Sequence, residues 1–152
     1  MNTLIIGVGN AYRGDDAAGI ITARRLRAQS LDHVEILEQT GDGAALMESW
    51  KDSDLVILID AVQSSARPGT IHRFDVQDEP ISTGPSPCSS HALSVAQAIE
   101  MARSLRRLPS RLIVYGIEGK NWEVGDALSP QVEEAISEVM QHVLQDIHSH
   151  SL

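Results

Sequence analysis

The run Leu55-Val56-Ile57-Leu58-Ile59-Asp60 limits what this chain can fold into more than any other stretch. Five apolar residues in unbroken succession leave no side for water. As a strand the segment must be covered on both faces, and it is too short for a buried helix. Thr3-Leu4-Ile5-Ile6-Gly7-Val8 and Leu112-Ile113-Val114-Tyr115-Gly116-Ile117 have the same character. Strands of this kind belong to a mostly parallel sheet between helical layers, so the expected fold is a three-layer α/β/α sandwich.

The segments between these runs fit that reading. Residues 15–29 form a helical stretch with Ala18, Ile21, Ala23 and Leu26 on one face, followed by a second strand at Val34-Glu35-Ile36-Leu37. The turn Thr40-Gly41-Asp42-Gly43 leads into a short helix over 44–50. Residues 69–76 alternate in polarity after Pro68, the pattern of an edge strand, expected to run antiparallel. A loop over Pro80 to Pro87 precedes a long helix from His91 to about Arg107. The closing helix begins at Ser129-Pro130, with a serine at the cap, proline in the first turn and Glu133 nearby, and runs to about Ile147. Residues 1–148 read as one α/β domain and 149–152 as a frayed C-terminal tail. A length of 152 residues with 42% apolar side chains is enough for one such core.

Charge and cysteine content exclude several classes. With 12 Lys+Arg against 21 Asp+Glu the formal net charge is −9, which disfavours nucleic acid and anionic membrane as partners. The single cysteine, Cys88, rules out an intrachain disulfide and a Cys-rich zinc site, in keeping with a reducing compartment. There is no basic n-region with a small-residue cleavage site, and no apolar run approaches the roughly 20 residues a membrane helix needs. A cytoplasmic protein without membrane insertion is expected.

In open α/β sheets ligands sit beyond the carboxyl ends of the strands. Four candidate groups meet there: Asp15 and Asp16 after the first strand, Asp60 ending the third, His91 opening the long helix, and Glu118 leaving the last strand. The opening loop Gly7-Val8-Gly9-Asn10-Ala11-Tyr12-Arg13-Gly14-Asp15-Asp16 is not a dinucleotide fingerprint. Tyr12 holds the third glycine position, and two carboxylates stand where phosphate oxygens would need donors. No G-x-x-x-x-G-K-[ST] phosphate loop is present either. Acidic residues in a first helical turn also interact favourably with the helix dipole, which by itself would account for Asp15 or Asp16. Asp60 shifts the balance, because a carboxylate ending a core strand is costly unless it is paired, hydrogen-bonded or metal-bound. Its competing role is to accept hydrogen bonds from loop amides. With one imidazole, the carboxylates make an open site suited to a borderline divalent metal.

Gly7-Val8-Gly9-Asn10, then Arg13-Gly14-Asp15-Asp16-Ala17-Ala18-Gly19, Ile59-Asp60-Ala61 and Ser90-His91 follow in order along nearly the whole chain. Together they resemble the hydrogenase maturation endopeptidases that process nickel-iron hydrogenases. The resemblance implies a three-layer α/β domain that removes a C-terminal extension from the precursor of a nickel-iron hydrogenase large subunit once nickel is in place. It also implies an aspartic-type endopeptidase in which Asp16, Asp60 and His91 contact the nickel and carry the reaction. The nickel is supplied by the substrate, with no tightly bound intrinsic metal. Three ligands with no thiolate among them would hold free nickel weakly, so the metal on the substrate would license cleavage. Either Asp16 or Asp60 serves as general base in this scheme. Where many relatives have Asp-Gly-Gly-Thr, this chain has Glu38-Gln39-Thr40-Gly41-Asp42-Gly43, and neither Glu38 nor Asp42 is assigned a catalytic part.

The other candidates are weaker. Cys88 and His91 could pair as nucleophile and base, but no residue to orient the base is evident. His142, His148 and His150 read as a solvated tail, and His72 as part of an exposed edge strand. Trp50 and Trp122 are core or rim residues. Gly116-Ile117-Glu118-Gly119-Lys120-Asn121-Trp122 is either a substrate-contacting loop or an ordinary connection. Two rival functions stay open: a non-catalytic nickel carrier or assembly chaperone using the same residues, and a metal-dependent hydrolase of a small anion. The second would need more cations than Arg13 and Lys120 supply. The Pro80 to Pro87 loop and the edge strand would suit an extended peptide.

Overall fold

The three apolar runs are the central strands of one sheet. A computed structural model describes residues 2–77 and 90–151, the first five of the second stretch by backbone alone. In chain order it contains β1 (Thr3–Val8), a 3-10 turn (Gly14–Ala17), α1 (Ala18–Arg27), β2 (Val34–Gln39), α2 (Gly43–Trp50), β3 (Leu55–Val62), β4 (Ile71–Asp75), α3 (Ser90–Ser104), β5 (Arg111–Glu118) and α4 (Pro130–Ser151). The strand order is β2-β1-β3-β5-β4. All neighbours are parallel except β4, which runs antiparallel to β5 at the edge.

Alternation along the buried strands creates two cores. Ile5, Ile57, Ile59, Tyr115 and Ile117 pack against Ala18 and Leu26 of α1 and Val132, Ile136, Val139 and Val143 of α4. Their sequence neighbours Leu4, Ile6, Val56, Leu58, Leu112 and Val114 point the other way, onto Leu46 and Trp50 of α2 and Ile99 of α3. Each of these strands thus serves two helical layers, and its central side chains are apolar because neither face meets water. Trp50 belongs to the core, fully buried with its indole N–H donating to the carbonyl of Arg107 at 2.9 Å. Trp122 is half-buried against the α1/α4 side.

Two glycines place the turn that follows β1. A Cβ on Gly19 would lie 2.1 Å from the carbonyl oxygen of Ile59 and 2.7 Å from that of Val8, so α1 lies directly on the ends of β1 and β3. Gly9, with φ of +147°, lets the chain pass under the 3-10 turn, where a Cβ would come within 2.1 Å of the Asp16 carbonyl oxygen.

Three details differ from the sequence expectations. The helix expected from residue 15 begins with the 3-10 turn, so Asp15 and Asp16 precede α1 proper. The expected frayed tail over 149–152 is helical through Ser151. Leu144 and Ile147 pack on the core, and Asp146 accepts hydrogen bonds from Arg73 Nη2 at 2.7 Å and from the Tyr115 hydroxyl, which ties the last turns of α4 to the sheet. Ser129 precedes α4 as expected, but its hydroxyl donates to Asp15. No helix among the described residues is long and apolar enough to cross a membrane.

Candidate active site

Asp15 and Asp16 are adjacent and fully buried, yet the fold gives them different surroundings. Asp15 Oδ2 accepts from the backbone N–H of Lys120 at 2.7 Å and of Asn121 at 2.9 Å, and from the Ser129 hydroxyl at 2.9 Å. Its Oδ1 accepts from the Ser129 N–H at 2.8 Å, and its own N–H donates to the Asn121 carbonyl at 2.7 Å. Asp15 therefore fastens the loop after β5 to the turn after β1. That fastening differs from the helix-dipole role the sequence offered for Asp15.

Asp16 faces the strand ends. Its carboxylate lies 3.9 Å from Arg13 Nη1, and Arg13 is itself held by an Nε hydrogen bond of 2.8 Å to the Trp122 carbonyl. Asp60 leaves β3 on the α2/α3 side of the sheet and is 2% exposed. Its Oδ1 accepts from the N–H of Ala61 at 2.8 Å, while its Oδ2, equally buried, accepts no hydrogen bond among the described residues. Burial raises the pKa of Asp60 well above the ordinary carboxylate range, the charge of Asp16 raises it further, and the Ala61 N–H only partly opposes them. Desolvation and the neighbouring charge both disfavour the ionised form of Asp60. The donor set is oxygen-based and suits a divalent metal.

His91 lies in the first turn of α3, which packs on the same face of the sheet as Asp60; its side chain is outside the described residues. Cys88 and the loop from Pro80 to Pro87 also lie outside them. Among the described residues no group of three His, Cys, Asp or Glu side chains gathers as a metal site, and that holds for His142, His148 and His150. Glu38 and Asp42 have structural work. Glu38 pairs with Arg24 at 3.0 Å and Arg27 at 2.9 Å, and Asp42 caps α2 by accepting from the Ala44 N–H at 3.0 Å.

A second polar cluster was not anticipated. Glu118, 1% exposed at the end of β5, accepts from the N–H of Ser64 at 3.1 Å and from the Ser64 hydroxyl, and stands 3.0 Å from Nε2 of His72. His72 is thus half-buried with a carboxylate partner, where the alternation of β4 had suggested only an exposed edge position. The one signal in the sequence was that Glu118, like Asp60, is a carboxylate ending an apolar strand.

The comparisons with known proteins point the same way as the motifs. The model of the HycI hydrogenase maturation protease family matches residues 21–146. The hydrogenase 2 maturation protease of Escherichia coli is 29% identical over 147 residues, which cover 95% of this chain and 89% of that one. The solved structure of the E. coli hydrogenase maturating endopeptidase HybD superposes with a TM-score of 0.84 at 27% identity, over 99% of this chain and 94% of that one. A HybD structure from Thermococcus kodakarensis, at 22% identity and a TM-score of 0.77, shares the fold over 95% of this chain and 98% of its own. With the order of motifs, the sheet topology and the family match in agreement over most of its length, the chain belongs to the hydrogenase maturation protease family and is an endopeptidase of hydrogenase maturation.

Proposed function

We propose that this endopeptidase removes the C-terminal extension from the precursor of a nickel-iron hydrogenase large subunit after nickel has been inserted, and that it recognises the nickel on the substrate through Asp16, Asp60 and His91. The observation that carries this reading is the state of Asp60. Its Oδ2 is buried beside the charge of Asp16 and takes no hydrogen bond among the described residues. A carboxylate in that position gains most from a cation.

The precursor delivers that cation already bound to its own ligands. As the nickel approaches, its charge offsets the desolvation of Asp60 and the repulsion from Asp16, and Asp60 releases its proton. Contact with the metal fixes the scissile peptide beside the carboxylates and polarises its carbonyl. One of the two aspartates takes the proton of an attacking water. Without nickel the substrate offers nothing to compensate the pair, so the unfinished precursor is left uncut.

The test is to incubate the protein with nickel-loaded and nickel-free precursor from the same cell, with an Asp16→Ala control. Shortening of the loaded form alone, lost in the variant, is expected. Shortening of both forms would overturn nickel gating, and tight binding without shortening would point to a carrier or chaperone.

A further inference from the structure

The strand register sets a second group beside Asp60. Asp60 of β3 and His72 of β4 are both partners of Gly116 in β5, so the three stand in one row across the sheet. Register partners share a face, and this row continues the one formed by Leu58, Val114 and Phe74 on the side covered by α2 and α3. Two strand spacings separate the backbones of Asp60 and His72, roughly 10 Å. The central position of the row has no side chain. A Cβ on Gly116 would meet Val62 Cγ1 at 3.2 Å and His72 Cβ at 3.7 Å, so Val62 leans over the glycine beside His72 and no side chain of β5 stands between the two polar residues.

His72 is arranged as an acid–base group. Its Nε2 is 3.0 Å from Glu118 Oε1, and Glu118 is in turn fixed by the Ser64 N–H and hydroxyl. An imidazole oriented by a buried carboxylate through one nitrogen presents the other in a set direction. The His72 side chain is 32% exposed, while Glu118 is 1% exposed, so the ring can meet a substrate and its partner cannot.

We propose that His72, oriented by Glu118, is the general acid that protonates the leaving nitrogen of the scissile peptide. The inference rests on the peptidase reading above. Water adds to the carbonyl carbon and gives one proton to the aspartate pair. As the C–N bond breaks, His72 transfers its Nδ1 proton to the departing nitrogen. The products are a new carboxyl terminus on the large subunit and a free amine on the released extension. The proton taken by the aspartates is lost to solvent, and His72 regains one from it.

The experiment compares the unaltered chain, His72→Ala, His72→Gln and Glu118→Gln on nickel-loaded precursor, with precursor binding and cleavage rate measured separately. His72→Gln can keep a hydrogen bond to Glu118 and so guards against loss of local structure. The expected result is a fall in kcat of roughly 10²–10⁴-fold for both His72 variants, with precursor binding unchanged and added imidazole restoring part of the rate of His72→Ala. Glu118→Gln should show a smaller loss that imidazole does not repair. Cleavage by both His72 variants at the unaltered rate would overturn the proposal, as would a loss expressed only as weaker precursor binding. A failure of the unaltered chain to cleave would defeat the underlying reading as well, which distinguishes the two.

Discussion

Asp15 and Asp60 are carboxylates buried at the same edge of the sheet, and their surroundings are opposite. Asp15 accepts four hydrogen bonds, from Lys120, Asn121 and twice from Ser129. Among the described residues Asp60 accepts one, from the adjacent backbone N–H, and it feels the charge of Asp16. A buried carboxylate costs several kcal/mol unless its charge is compensated. Around Asp15 the chain itself supplies the compensation, which makes that residue a fastener. Around Asp60 the described residues do not, and in the proposed function that residue responds to an incoming cation. The number of donors, and not depth, separates the two roles.

The sharpest way to break this comparison is to neutralise each acid in turn. Asp60→Asn keeps the shape and removes the charge; if several kcal/mol of transition-state stabilisation depend on it, cleavage of nickel-loaded precursor should fall roughly 10³-fold, read as single-turnover product. An Asp60→Asn protein that cleaves normally would leave the donor count without functional meaning. Asp15→Ala should act on the fold instead. It strands four buried or half-buried donors, with an expected loss of about 3–5 kcal/mol and a fall in Tm of about 10 °C or more in thermal unfolding.

A third measurement concerns pH. The folded protein raises the pKa of Asp60, so it retains a proton that the unfolded chain releases above the ordinary carboxylate range. Unfolding therefore loses protons, and the contribution of Asp60 to stability declines as pH rises from about 4 through its raised folded value. Asparagine has no proton to lose. Asp60→Asn should melt about 2–4 °C higher than the unaltered chain at pH 7, the shift produced by about 1 kcal/mol in a domain of this size, and the gain should vanish in acid. A variant that melts lower at pH 7 would contradict the raised value.

The smallest effect belongs to Glu38, whose carboxyl is held below its usual range by hydrogen bonds to Arg24 and Arg27 at the surface. Its contribution is present above the ordinary carboxylate range and is lost as pH falls below it. Because the pair is exposed, Glu38→Gln should lower Tm by less than any change above, and the difference should disappear in concentrated salt. If Glu38→Gln instead destabilises as much as Asp15→Ala, burial with full satisfaction is not what distinguishes Asp15.

Much of this architecture was legible in the sequence. The unbroken apolar runs of β1, β3 and β5 admit only strands covered on both faces, and the polar alternation after Pro68 marks β4 as an edge. The short motifs Gly7-Val8-Gly9-Asn10, Asp15-Asp16 and Ile59-Asp60-Ala61 were also enough to suggest the family. The division of labour between Asp15 and Asp16 was not legible, because adjacent aspartates are chemically identical until a distant loop turns its N–H groups toward one of them. The pairing of His72 with Glu118 was equally hidden. It depends on β4 folding back against β5, and a half-buried histidine follows the same alternation as an exposed one.

The sequence by itself determined the layers, since apolar periodicity decides how many faces of a segment must be buried, and it placed Asp16 and Asp60 toward the carboxyl-end edge of neighbouring parallel strands. The tertiary structure decided what each polar group does there. Donors from residues 120–129 saturate Asp15, the crossing of α1 over β1 and β3 brings Asp16 within range of Asp60, and the register through Gly116 aligns Asp60 with His72. Hydrogen-bond satisfaction and charge coupling are properties of arrangements across long stretches of chain, and no local pattern of residues encodes them.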